Sequence, residues 1–135
     1  MKLLAIDYGE KRAGLALADT EDGIAFPRET LANTGRKALM GELLRVVEEE
    51  HVEAVVLGLP ATRDGAETTL IRQIKNVAHE LERAGLAVHF MDETLSSFEA
   101  EEDLRAAGLR GDRLKKALDS QAAARILESF LNSSG

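Results

Sequence analysis

The sequence contains no cysteine and no tryptophan, one tyrosine, four phenylalanines and two prolines. Without cysteine there are no disulfides, no thiolate metal sites and no cysteine nucleophile. So few aromatic rings argue against a base-stacking platform for single strands. No apolar run approaches the ~18 residues that a membrane helix needs. The opening MKLLAIDYGEKR has too short an apolar stretch for an export signal, because an acid and a glycine end it. The expectation is a cytoplasmic protein with no membrane partner. Positive charge is also scarce: 17 Lys and Arg stand against 24 Asp and Glu, for a net charge of −7. A large surface that coats nucleic acid is therefore not expected, since phosphate binding depends on Lys and Arg. The deficit is uneven, however. Residues 48–53 read EEEHVE, whereas 110–116 read RGDRLKK, with Arg110, Arg113, Lys115 and Lys116 against the single acid Asp112.

The 135 residues show no linker, repeat or low-complexity stretch, so they are expected to form one domain, 1–135. A chain of this size buries about two-thirds of its unfolded surface, enough for an ordinary core. Two short apolar runs, 2–7 and 13–18, flank YGEKR, which reads as a hairpin turn. A third strand is expected over 24–32, weakened by Pro27. The period then changes. Leu39, Leu43, Val46 and Val47 share one helical face, predicting a helix over about 35–50. A buried-type strand follows at about 52–58, ended by Gly58 and Pro60. Asp64 with Glu67 resembles a capping pair ahead of a helix that runs to about 84 and stops at Gly85. LAVHFM, 86–91, is another strand. Ser96 with Glu99 suggests a shorter helix through about 106, and Ala122, Ala123, Ile126, Leu127, Phe130 and Leu131 form the apolar stripe of a last helix. The order βββ-α-β-α-β-α predicts an α/β fold: a five-stranded mixed sheet with helices on both faces. Ligands of such sheets sit at the carboxyl ends of the parallel strands.

Acids fall at those ends. The first strand ends at Asp7, the strand at 86–91 runs into Asp92 and Glu93, and Asp119 opens the last helical stripe. With the first and fifth strands on either side of a central one, the three positions share a rim. Converging carboxylates repel unless a cation neutralises them, and hard oxygen ligands favour Mg²⁺ or Mn²⁺. Two such ions, ~3.5–4 Å apart, clamp the attacking and leaving oxygens of a phosphodiester displacement. A plainer reading stands beside this one: an acid after a strand is often a solvated turn residue or a helix cap, and Asp119 can be a polar residue flanking a helix core. Asp92 and Glu93 are adjacent and face opposite ways in a strand, so one of them at most is expected to be a ligand.

Four segments, DYGEKRAGLALAD (7–19), VVLGLP (55–60) with Asp64-Gly65, DETLSS (92–97) with Ala100, and DSQAAARILESFL (119–131), resemble in order and spacing the signature segments of the YqgF/RuvX family. The resemblance covers essentially the whole chain. It implies a ribonuclease H-like fold and kinship with the RuvC Holliday-junction resolvases. It also implies a divalent-metal-dependent nuclease that resolves Holliday junctions or matures the 5′ end of pre-16S ribosomal RNA. Carried over by position, the acids are Asp7, Glu93 and Asp119, with Asp92 as the alternative to Glu93. Lys11 and Arg12 at the hairpin tip are expected to meet a nucleic-acid backbone, and Arg110, Arg113, Lys115 and Lys116, just before the last helix, to hold a strand. Gly9 and Gly14 permit a tight hairpin and a close backbone approach to a phosphate, Gly58 and Pro60 shape the loop after the central strand, and Thr94, Ser96 and Ser97 are expected to cap the next helix, with phosphate binding as the alternative. In one departure, Arg63 stands where relatives carry an apolar residue.

A resolvase cuts two strands symmetrically, which points to a twofold homodimer. Two rival functions remain. The Asp-x-Gly hairpin also opens the nucleotide-binding fold of actin-like ATPases, but those need two such domains. A non-catalytic RNA-binding or ribosome-assembly factor would use the same basic strip, although three uncompensated carboxylates would repel phosphate. His51 and His79 are expected at the surface, and His89 as a packed residue, not a ligand.

Overall fold

Strand β1, Lys2–Tyr8, alternates its side chains between two apolar environments. Leu4 and Ile6 enter a core that also holds Leu15, Leu39, Leu43, Val55, Leu57, Ile74 and Leu81. Leu3 and Ala5 enter a second core with Ala16, Ala18, Ala54, Val56, Ala123, Ala124, Ile126 and Leu127. A strand buried on both faces reads as an unbroken apolar run, which is why KLLAI shows no polar alternation. The computed structural model describes residues 1–60, 67–93 and 105–133.

β1 pairs antiparallel with β2, Arg12–Asp19, and β2 pairs antiparallel with β3, Ile24–Ala32. On its other side β1 runs parallel to β4, Ala54–Pro60, which is parallel to β5, Ala87–Glu93. The five strands stand in the order β3-β2-β1-β4-β5. The expected mixed sheet with an antiparallel meander is thus present, with β4 between β1 and β5. Pro27 is accommodated because β3 is an edge strand, where a missing donor costs no central ladder bond.

Helix α1, Arg36–Glu50, and helix α2, Thr69–Arg83, bury Leu39, Leu43, Val46, Ile74, Val77 and Leu81 against the first core. Helix α3, Gly111–Ser133, covers the opposite face. Helices therefore lie on both faces, as expected. α1 ends on His51 in a left-handed conformation, φ 56°, while the Val52 N–H closes the end by donating to the Val47 carbonyl at 2.9 Å. His51 and His79 are both exposed.

Several boundaries differ from the sequence expectation. β4 does not stop at Gly58. Pairing with β1 ends at Leu57, but Gly58, Leu59 and Pro60 continue against β5, so Gly58 and Pro60 belong to the strand and not to a loop. α2 is capped by Thr68, whose hydroxyl accepts from the Ile71 N–H at 3.2 Å. Glu67 instead pairs with Lys75 at 2.8 Å. α3 begins at Gly111, so Arg113, Lys115 and Lys116 lie within the helix and only Arg110 precedes it. The capping pair partner Asp64 and the short helix from Ser96 fall outside the described residues, apart from helical residues 105–106.

The far end of the sheet is pinned by charge. The N-terminal ammonium lies 3.3 Å from Asp19, whose carboxylate also accepts from the Glu21 N–H at 3.1 Å. The Glu21 N–H, ahead of the ammonium, holds that carboxyl below its ordinary pKa.

The face under α3 is built largely of alanine: Ala5, Ala16, Ala18 and Ala54 from the sheet and Ala123 and Ala124 from the helix. Small residues let the helix lie close, and no space remains for a larger one. Ala123→Leu is therefore expected to cost about 1–3 kcal/mol by overpacking. Leu44→Ala, at an exposed position, should stay within about 0.5 kcal/mol. Urea unfolding followed by circular dichroism compares the two.

Candidate active site

Asp7 is half-buried at the carboxyl end of β1. The register Ile6↔Leu57 sets it level with Gly58 of β4, and Gly58 in turn pairs with Met91 of β5. In β1 the series Leu3, Ala5 belongs to the face under α3, and Asp7 is the next member of that series. Its antiparallel partner is Gly14, buried in β2, where the β2–β3 register shifts. No side chain from position 14 therefore flanks the Asp7 carboxylate.

On β5 the same alternation separates the two adjacent acids. His89 and Met91 belong to the α3 face: the His89 ring lies 5.1 Å from that of Phe130 of α3, and Met91 packs in the alanine-lined core. Position 93 is next in that series. Val88 packs in the opposite core, and Asp92 continues its series and is exposed. Positions 7 and 93 thus share a face and a rim, two strand spacings or roughly 10 Å apart across the sheet. Position 92 belongs to the other face. His89, exposed on its outer side, packs its ring against Phe130.

α3 reaches the same rim. The Ser120 hydroxyl donates to the Arg28 carbonyl of β3 at 2.9 Å. Arg28 pairs with Leu15, and Leu15 with Ile6, so α3 crosses the sheet at residue 120 level with the residue before Asp7. Position 119 lies one turn before Ala123, the fully buried start of the helix's apolar stripe. Backbone placement therefore puts positions 7 and 93 on one face at the carboxyl rim, and position 119 on the helix that crosses that face, where it passes over β3. The side chains of Glu93 and Asp119 lie outside the described part of the structure, and among the described residues no group of three potential metal ligands forms. As a donor set, three carboxylates suit a hard divalent cation that prefers oxygen.

Cations flank the rim. Lys11 is exposed in the β1–β2 turn and Arg12, half-buried, opens β2. Arg110 and Arg113 are exposed at the start of α3. Position 113 lies six residues ahead of 119, about 9 Å further out along the helix axis. The side chains of Lys115 and Lys116, and residues Asp64, Gly65, Thr94, Ser96, Ser97 and Ala100, lie outside the described residues.

Sequence reasoning missed Asn33. Its side-chain amide donates to the Gly9 carbonyl at 2.8 Å, and its backbone N–H donates to the Lys11 carbonyl at 2.9 Å. The one available signal is Asn-Thr-Gly after a strand, a turn signature that does not reveal partners more than twenty residues away. Asn33 also lines an open groove of about 530 Å³ on the opposite face of the rim, together with Tyr8, Arg36, Gln73 and Asn76.

The chain matches the RuvX family, described as Holliday junction resolvase, over residues 1–133. A protein of Nitratidesulfovibrio vulgaris (strain DSM 19637 / Miyazaki F), named "Putative pre-16S rRNA nuclease", is 53% identical over 133 residues, covering 98% of this chain and 94% of its own. A protein of the same name from Lawsonia intracellularis is 42% identical over 135 residues, covering 99% and 95%. Among solved structures, RuvC of Thermus thermophilus in complex with a Holliday junction substrate superposes with a TM-score of 0.63 at 16% identity, covering 99% of this chain and 96% of that one. The Fowlpox virus resolvase bound to Holliday junction DNA superposes with a TM-score of 0.65 at 12% identity, covering 99% of both. At those identities the likeness shows the fold, a RuvC-type ribonuclease H-like sheet. Family match, close relatives and fold agree, and the chain belongs to the RuvX family of nucleases.

Proposed function

We propose that this protein is a divalent-metal-dependent nuclease that hydrolyses phosphodiester bonds in structured nucleic acid, with Asp7, Glu93 and Asp119 as its metal ligands. The observation that supports this reading is the register: positions 7 and 93 lie on one face at the carboxyl rim, the face that α3 crosses with position 119. The rival acid Asp92 falls on the other face. Bound Mg²⁺ or Mn²⁺, as a pair of ions, would supply an activated water and stabilise the leaving 3′ oxygen. The chain's own residues do the rest. Asp7, held between β2 and β4, offers a carboxylate whose backbone cannot shift without disturbing the sheet. Lys11, Arg12, Arg110, Arg113, Lys115 and Lys116 hold the phosphates on either side of the cleaved bond. These bases supply local attraction in a molecule whose net charge repels nucleic acid.

The names of relatives at 53% and 42% identity favour 5′-end maturation of pre-16S rRNA as the reaction. The family description, and the junction bound to structural neighbours, support four-way DNA as a second substrate. Junction resolution requires two symmetric cuts and hence a homodimer. No helix among the described residues is long and apolar enough to cross a membrane; the location proposed, the cytoplasm, follows from the proposed substrates.

A side-by-side assay with Mn²⁺ tests the proposal, using a labelled four-way junction and a precursor-rRNA-like RNA. Wild type is expected to cleave at least one of them, and Asp7→Asn to lose at least about a hundredfold in rate. Retained cleavage by Asp7→Asn overturns the site. If all three acids can be neutralised without consequence in cells, the non-catalytic assembly factor replaces the nuclease. The face assignment generates a sharper comparison: Glu93→Gln should abolish cleavage, while Asp92→Asn should keep rates within about threefold, because only one of the two shares a face with Asp7. For the cationic flank, Lys11→Ala is expected to weaken substrate binding and to lower the slope of log K against log salt by about 1. Binding titrations at four salt concentrations measure that slope.

A further inference from the structure

Two residues beyond Asp7 the chain reverses. The turn is tight: a Cβ on Gly9 would lie 2.7 Å from the Arg12 carbonyl oxygen, well inside contact distance. The Asp7 carboxylate leaves one limb of this turn, and Lys11 and Arg12 belong to the other. The β1–β2 ladder ends at Tyr8↔Ala13, so the ladder does not fix the tip itself.

Asn33, just past the end of β3, supplies what the ladder lacks. Its Nδ2 donates to the Gly9 carbonyl at 2.8 Å and its backbone N–H to the Lys11 carbonyl at 2.9 Å, so it grips both limbs. Its Oδ1 accepts from the Gly35 N–H at 3.3 Å. Gly35 is the N-cap of α1, whose Leu39 and Leu43 are fully buried in the core. The hairpin tip is thus tied through one side chain to a helix anchored in the core. The amide is needed in both senses: Gly9 offers only an acceptor and Gly35 only a donor. A carboxylate, a hydroxyl or an alkyl group at position 33 cannot satisfy both at that reach.

We infer that Asn33 is a positioning residue of the nuclease site. It fixes the turn that carries the Asp7 carboxylate on one limb and the Lys11 and Arg12 cations on the other, and so sets the separation between metal ligand and phosphate contacts. The inference rests on the function proposed above. Small displacements of reacting groups cost large factors in rate because proximity is lost, whereas the cations at the tip still reach a flexible backbone.

The test compares Asn33→Ala, Asn33→Asp and Thr68→Ala with wild type in single-turnover and steady-state cleavage with Mn²⁺. Thr68→Ala removes a similar side-chain bond at the start of α2, a helix that carries none of the proposed site residues. It reports what general loosening does. Asn33→Ala is expected to lower kcat at least about tenfold with KM within about twofold, and Thr68→Ala to change both by less than about twofold. Asn33→Asp keeps the acceptor for Gly35 but sets an oxygen against the Gly9 carbonyl, so it should not rescue kcat. Amide exchange at position 33 should accelerate in both Asn33 variants. An unchanged kcat in Asn33→Ala overturns the inference, as does rescue by Asn33→Asp, an equal loss in Thr68→Ala, or an effect confined to KM. Asp7→Asn runs in parallel: if it stays active, or if wild type cleaves nothing, the proposed function has failed and Asn33 falls with it. If Asp7→Asn is dead and Asn33→Ala is normal, only the positioning role is lost.

Discussion

Leu4 and Ile6 leave β1 toward one core while Leu3 and Ala5 leave it toward the other, so a slip of one residue would exchange leucine and isoleucine for leucine and alanine in spaces of different size. That two-sided burial fixes β1 against both β2 and β4 at once. Asp7 takes its position from this lock. It is the first polar residue after four buried ones, so a fully packed stretch of strand ends at the residue proposed to carry the chemistry. A carboxylate on a loop would have to be ordered at a cost in conformational entropy. Here the sheet has already met that cost.

The two faces of the sheet are not equivalent. Large residues fill the side under α1 and α2, and alanines line the side under α3. Fewer buried methylenes on the α3 side mean less hydrophobic stabilisation per residue, but a closer approach of helix to sheet. Position 119 lies one turn before Ala123, on the helix that this close approach holds against the sheet. The Ser120 bond to the Arg28 carbonyl then sets how far along its axis the helix sits. Stability is drawn mainly from one face, and the proposed site from the other.

Much of this was legible in the sequence because the central elements are locally unambiguous. KLLAID, AVVL and the stripe from Ala122 to Leu131 specify strand, strand and helix without help from their neighbours. What was not legible depends on partners distant in sequence. LAVHFM is apolar on both faces, so alternation alone could not say whether Asp92 or Glu93 joins Asp7; only the register with β4 and the Phe130 contact assign the faces. Gly58 and Pro60 read as a stop, but β5 offers a partner that keeps β4 extended to its end. RGDRLKK, strongly charged and carrying a glycine at its second position, does not read as a helix start, yet α3 begins there, with Leu114 already buried. Asn33 gives almost no sequence signal, because its bonds join a turn more than twenty residues back to a helix start two residues ahead.

The docking of α3 over the alanine face has a consequence for the order of events during synthesis. β1 and β2 can form their hairpin as soon as they are made, and α1, α2, β4 and β5 can complete the larger core without α3. The second core, and with it position 119, exists only after α3 has been translated and has closed on the sheet. On the proposed reading, a nascent chain held beside ribosomal RNA carries Asp7 and position 93 at an open rim but lacks the third ligand. On that reading the site is complete only once the last helix has closed on the sheet.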